Sequence, residues 1–264
     1  MKRKKEVLMC VFCAFLFFSV SSLNAAKERL YVEIKEQDVL LATEGALYDV
    51  SSDGIYSAGY MMYFGAKDFT ANKDLITGKM KEAKLVVDKP DRKVVKAIFS
   101  VENQNKVIDN DYLHVIFLEI RKKYPFIAVD SRFTYVGEGT HICGINWGMS
   151  GNSEANKFKY YAYPEGDKIM NYKLGPLKST QSNKIGAVKW LYAHDGKGEG
   201  AGLICGGVLG KGEDFIFINS VPQKKQLKKN EFIEVFFITM PISKDFKKLP
   251  AIFEEIKSVK WVYE

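Results

Sequence analysis

Of the side chains in this 264-residue chain, His114, His141 and His194 are the only imidazoles. Proton transfer by histidine near neutral pH therefore rests on these positions. His141 lies in THICGINWGMSG, Thr140–Gly151, among Gly137, Gly139, Gly144 and Gly148. Glycines there permit positive φ or close backbone approach to a ligand. Trp147 offers a large apolar face on which a pyranose ring can stack, and Asn146 supplies both a donor and an acceptor for hydroxyls. The same residues also read as a short strand, Thr140–Trp147, with Ile142 and Trp147 packed inward and the glycines marking a bulge. On the first reading the segment borders a groove, and Trp147 touches ligand only if its ring faces solvent.

A second group sits in WLYAHDGKGEGAG, Trp190–Gly202. His194-Asp195 opens a glycine-rich hairpin, and Trp190, Tyr192 and His194 share one face by period 2, an aromatic platform beside the loop. The glycines lack the G-K-[ST] or strand–GxGxxG–helix setting of a phosphate cradle, so ordinary turn chemistry with a mobile loop is the plain expectation. His114 falls on a face with Ile116, Leu118 and Ile120 and reads as a core histidine. Asp130 and Arg132 alternate on the polar face of their strand, where they either pair or line a site for a carboxylated sugar.

Several chemistries have no footing. The chain carries no GxSxG elbow, HExxH or P-loop, and no metal-ligand spacing outside residues 1–25. No cofactor or metal is expected.

The elements that must position these groups are strands. Runs rich in β-branched and aromatic residues recur from Arg29–Lys35 to Glu231–Met240, separated by turn formers such as Ser51–Gly54, Lys89–Asp91 and Asp195–Gly200. In Pro125–Val136 the residues Ile127, Val129, Phe133 and Tyr135 alternate with Ala128, Asp130, Arg132 and Thr134. That pattern predicts an antiparallel strand with one face on a core and one in solvent. Helix is expected only at Leu249–Lys257, with Thr77–Ala83 as a further short turn. No linker or repeat interrupts residues 26–264, so the expectation is a single all-β domain, a large antiparallel sandwich with one short C-terminal helix.

Residues 1–25 read as a secretory signal peptide, with the basic Met1–Lys5, the apolar Val7–Val20 and small residues at a cleavage point. A secreted or periplasmic protein with no membrane span after cleavage is expected. Of the net charge of +7, the leader contributes +3 (Lys2, Arg3, Lys4 and Lys5 against Glu6), leaving +4. That excess suits an acidic ligand but forms no dense basic stripe for nucleic acid. Cys143 and Cys205 remain after cleavage, either as a disulfide or as separate buried thiols.

The order of the strands carries a resemblance. A charged strand, Arg92–Glu102, precedes YLHVIFLEIRKKYPFIAVDSRFTYVGEGTHICGINWG, and KKNEFIEVFFITMP leads into the short helix. This pattern resembles the galactose-mutarotase-like β-supersandwich, shared by aldose epimerases and by domains of polysaccharide lyases and glycoside hydrolases. The resemblance implies sugars on the concave side of the large sheet. It also implies a histidine acid matched by position at His141, without the Asn-His pair usual in the family. The family's glutamate base is unassigned among Glu138, Glu199 and Glu213. The leading functional expectation is a secreted carbohydrate-recognition domain, accessory to polysaccharide degradation, with Trp147, Asn146, Trp190 and His194 in contact with the sugar. The alternative is a carbohydrate-active enzyme, epimerase-like or lyase-like. A lyase would draw a base from His141 or Tyr135 and neutralise the uronate of an acidic polysaccharide with Arg132 or Asn146. The third reading is an envelope structural or interaction protein without a small ligand.

Overall fold

The computed structural model describes residues 30–43, 45–58, 60–151, 157–175, 184–205, 208–213, 215–219, 224–243 and 249–256. Residues 1–25, expected to be a leader, lie outside these residues. The architecture is nearly all β and antiparallel. One large sheet runs in the order β6 (Gly65–Asp68), β7 (Lys73–Asp88), β8 (Arg92–Glu102), β9 (Ile108–Arg121), β10 (Ile127–Tyr135), β20 (Phe232–Ser243), β16 (Glu199–Cys205), β15 (Leu191–His194), β12 (Tyr160–Glu165) and β13 (Lys168–Lys173). The facing sheet is β1 (Tyr31–Ile34), β2 (Val39–Thr43), β3 (Ala46–Ser51), β4 (Gly54–Ser57), β5 (Tyr60–Tyr63), β11 (His141–Ser150), β18 (Phe215–Asn219), β17 (Val208–Lys211) and β14 (Lys184–Gly186). β11 ties the two together. Its first residues pair with β6 and β19 (Lys225–Leu227), and its later ones with β5 and β18. THICGINWGMSG is thus the strand that crosses from one sheet to the other.

Period-2 alternation decides which side chains meet. The inner face of the large sheet contributes Phe99, Ile116, Leu118, Val129, Phe133 and Phe237 to a core shared with the facing sheet. His114 belongs there. It is fully buried, hydrogen-bonded at 2.8 Å to the hydroxyls of both Thr77 and Ser131, and stacked on Phe133 at 4.2 Å. Burial pushes its pKa down to about 3, so the ring is a neutral structural spacer.

Two expectations are corrected. Thr77–Ala83 is no helical turn but part of β7, pairing with β8 across bulges between Thr77 and Glu82. At Gly78 a Cβ would sit 2.5 Å from Ser100 Oγ, so close strand packing overrides the helix-favouring composition. The outer face of β10 is also not simply solvated. Ala128 is buried against Phe126, Trp190, Tyr192, Ile238 and Met240, and Ile252 of the helix α1 (Leu249–Ile256) packs on this cluster. Among the described residues no helix is long and apolar enough to cross a membrane.

Candidate functional site

The residues expected to do chemistry fall into separate places. At the crossing strand, His141 Nδ1 donates to Asp68 Oδ2 at 2.6 Å. The same oxygen accepts from the Tyr112 hydroxyl at 2.8 Å, and Asp68 Oδ1 accepts the backbone N–H groups of Thr70 and Ala71. Burial alone would raise the Asp68 pKa. The bonds from Ala71, Tyr112 and His141 outweigh it and hold the carboxyl below its ordinary value. Because the phenol proton of Tyr112 goes to Asp68, the Cys143 thiol donates to the phenol oxygen at 3.2 Å, and burial pushes that thiol up to about 11. Tyr135 lies 4.8 Å from the His141 ring. Its side chain is buried, its hydroxyl donates to the Glu138 carbonyl, and burial raises its pKa. The Tyr135 hydroxyl expected as a base is thus buried and engaged within its own turn. The His141 side chain is one-fifth exposed.

Arg132 is committed as well. Its guanidinium donates to Asp130 at 2.7 and 3.1 Å, lies 3.5 Å from Glu234, and sits over the rings of Phe117 and Phe232. The guanidinium expected to meet a uronate thus already faces two carboxylates of this chain. Trp147 is a core residue, fully buried between Phe64 and Phe237, and offers no face to a ligand. Asn146 of β11 pairs with Asn219 of β18, and its side chain lies outside the described residues. Cys143 and Cys205 are both buried and are not joined in a disulfide.

His194 has a different setting. Its ring is stacked between Tyr192, at 4.8 Å and 10°, and Tyr160, at 5.2 Å and 18°. Nδ1 accepts the Gly196 N–H at 3.2 Å, so the neutral ring carries its proton on Nε2, which faces Asn171 Oδ1 at 3.4 Å. Burial lowers its pKa against the opposing charge of Asp195. The following loop is pinned rather than free. Asp195 Oδ1 accepts the N–H groups of Lys197 and Glu199, and the Tyr192 hydroxyl donates to Gly198 O. Gly196 has φ +89°, and a Cβ there would meet the Tyr160 ring at 2.7 Å. Glycine is needed on both counts.

Register places Tyr160, Asn171, Tyr192 and His194 together on the outer face. The strip continues along the hairpin to a shallow cleft lined by Pro164, Lys168, Ile169, Lys189, Trp190 and Glu254. Trp190, almost wholly buried, is part of that cleft's wall. Arg132 shares the outer face but stands far off. It pairs with Glu234, whereas His194 lies opposite Gly200, which pairs with Ile242. Eight residues at about 3.3 Å each separate them by roughly 26 Å. His141, Arg132 and His194 do not converge.

The fold is similar to parts of larger solved proteins. The galactosidase domain of an alpha-galactosidase–sucrose kinase matches with TM-score 0.53 and 10% identity, over 80% of this chain and 41% of that one. A GH36 alpha-galactosidase from Geobacillus stearothermophilus matches with TM-score 0.52 and 8% identity, over 80% and 40%. An alpha-mannosidase from Enterococcus faecalis V583 matches with TM-score 0.51 and 7% identity, over 88% and 31%. The likeness is one of fold. The chain thus spans well under half the length of these proteins. No protein-family model and no curated protein matches the sequence.

Sequence reasoning found Trp190 and His194 but missed their partners. Tyr160 and Asn171 belong to the hairpin YYAYPEGDKIMNYK, whose tyrosine alternation around Glu-Gly-Asp was the available signal. Asp68 had none, since it meets His141 from 73 residues away.

Proposed function

We propose that this chain is an exported carbohydrate-recognition domain of the galactose-mutarotase-like supersandwich class, accessory to polysaccharide breakdown. It binds glycan on the outer strip of β12, β13 and β15. The observation that carries the reading is the stacked, neutral His194 with Asn171, continuous with the cleft beside Trp190. Fixed ring edges and amide groups beside a cleft suit sugar hydroxyls and C–H faces. The names of the fold's relatives, alpha-galactosidase and alpha-mannosidase, support a sugar as the ligand. Lys168 and Lys189 in the cleft and Lys173 opposite Tyr160, set against Asp167 and Glu254, favour a carboxylated glycan.

Recognition is favoured over turnover because chemistry and cleft are apart. The His141–Asp68 pair is bound into a buried network, and the described cleft holds no histidine. The partial exposure of His141 supports a second reading, proton transfer on a sugar, with Asp68 orienting the ring. Incubation with polygalacturonate, alginate and free aldoses separates the two. The first reading expects binding without unsaturated product or anomer interconversion. Turnover abolished by His141→Ala would establish the second reading instead.

A further inference from the structure

Two surfaces of the chain are unsatisfied in opposite senses. The first is the outer face of the facing sheet. Glu33, Leu40, Asp49, Tyr56, Met61 and Ser150 are successive cross-strand partners on β1 to β5 and β11. Their strand neighbours Leu41, Tyr48, Val50, Ile55 and Met62 belong to the core, so this row points outward. Tyr31, Leu47 and Tyr63 lie on the same side by period 2 and are 43%, 41% and 44% exposed. At the centre Asp49 is half-buried, and its Oδ1 is buried with no hydrogen-bond partner. Burial first, then the nearby Asp38, push its pKa up, and Lys35 offsets this only in part. Residues 31–63 carry six carboxylates against one lysine, net −5, in a chain of net +7.

The second surface is the β7–β8 ribbon. Residues 79–96 carry seven lysines and arginines against three carboxylates, net +4. Lys79, Lys81 and Lys84 are exposed along β7, and Val86 beside them is 42% exposed. Lys84 stands directly opposite Lys96, a like-charge register that is unfavourable across a ladder. The 3.6 Å contact of Lys84 with the exposed Glu82 offsets little of this. The ribbon lacks an anion as the first face lacks a cation.

We infer that the outer face of the facing sheet docks on the β7–β8 ribbon of a second copy of this chain. A ribbon lysine of one copy meets Asp49 of the next, and Val86 covers the exposed Leu47 and Tyr63. Charge complementarity selects a second copy as the occupant, because the chain itself carries both halves of the contact. Two-fold pairing of the acidic face with itself would set Asp49 and its carboxylate rim against like charge. The contact is therefore head-to-tail. Every dimer then keeps one free face of each kind, so the assembly grows until it closes as a ring or continues as a filament.

The test is sedimentation velocity of the purified chain from micromolar to millimolar concentration, in low salt and in about 0.5 M salt, where charges are screened within about 4 Å. Wild type should associate beyond the dimer as concentration rises, and high salt should reverse much of it. Asp49→Lys, which spoils the acidic face, and Lys81→Glu/Lys84→Glu, which spoils the ribbon, should each sediment as monomers. Mixed together, the two should form a one-to-one dimer and nothing larger, since one competent face of each survives. Leu47→Glu, at an exposed position, should behave as Asp49→Lys does, so the test stands even if the Asp49 variant fails to fold. A wild type that stays monomeric throughout, the outcome if the face serves a different partner, overturns the inference. So does association that survives these substitutions, or a mixture of the two kinds of variant that stays monomeric.

Discussion

The imidazole of His194 lies 4.8 Å from the ring of Tyr192 with only 10° between their planes. The contact fixes the ring while leaving Nε2 to Asn171. Shape and hydrogen bonding can therefore be separated. His194→Phe keeps the stack and removes both the Nε2 donor and the Nδ1 acceptor, leaving the exposed Gly196 N–H to water. It is expected to change stability by less than about 1 kcal/mol, since a volume-conserving swap is tolerated best. Thermal melting of that variant checks it, and a collapsed melt would show that the imidazole serves the fold alone.

His114 predicts a pH dependence. Its folded pKa, about 3, lies below the roughly 6.5 of an unfolded histidine. Between those values the unfolded chain binds a proton that the folded chain refuses. The stabilisation is therefore complete above pH ~6.5 and is lost as pH falls. From pH 7 to pH 5 the loss should be about 2 kcal/mol. Urea unfolding at the two pH values should show it in the wild type and not in His114→Gln. Equal slopes in both proteins would assign the acid sensitivity elsewhere.

Trp147 was expected to touch ligand only if exposed, and it is not. Trp147→Ala should destabilise the chain by roughly 3–5 kcal/mol, and any folded fraction should bind glycan normally. Its indole Nε1 is buried without a partner. Trp147→Phe, which removes that orphan donor, should therefore cost clearly less than the alanine change. Paired melts and titrations distinguish this from a ligand contact, which would weaken binding at unchanged stability.

Cys143 and Cys205 should remain thiols. Thiol-reagent titration of the chain without residues 1–25 is expected to find no reaction when native and two thiols once unfolded. Zero thiols after unfolding would mean a disulfide.

How much of this was legible follows from the range of the interactions. Alternation within β9 and β10 is written locally, so the strands, the core face and the core role of His114 could be read directly. Trp190, Tyr192 and His194 were placed on one face by the same period. The outer face of β10 was misread because its cover comes from elsewhere. Trp190, Met240 and Ile252 lie 62 or more residues from Ala128 in the chain, and no local pattern announces them. Arg132 and Asp130 were seen to alternate, but only the neighbouring Glu234, Phe117 and Phe232 decide that the guanidinium is spent. His141 was found as a residue type. Its role was not, because Asp68 and Tyr112 arrive through sheet topology.

The most direct measurement is calorimetric titration of an acidic oligosaccharide that the wild-type chain binds. Wild type is compared with Asn171→Ala/His194→Phe and with His141→Ala, after equal melting temperatures are confirmed. Two hydrogen-bonding groups are removed from the strip by the double variant, so its affinity should fall at least tenfold, about 1.4 kcal/mol. His141→Ala should bind as wild type does. A double variant that binds unchanged, or a loss confined to His141→Ala, would contradict recognition on the β12–β13–β15 strip.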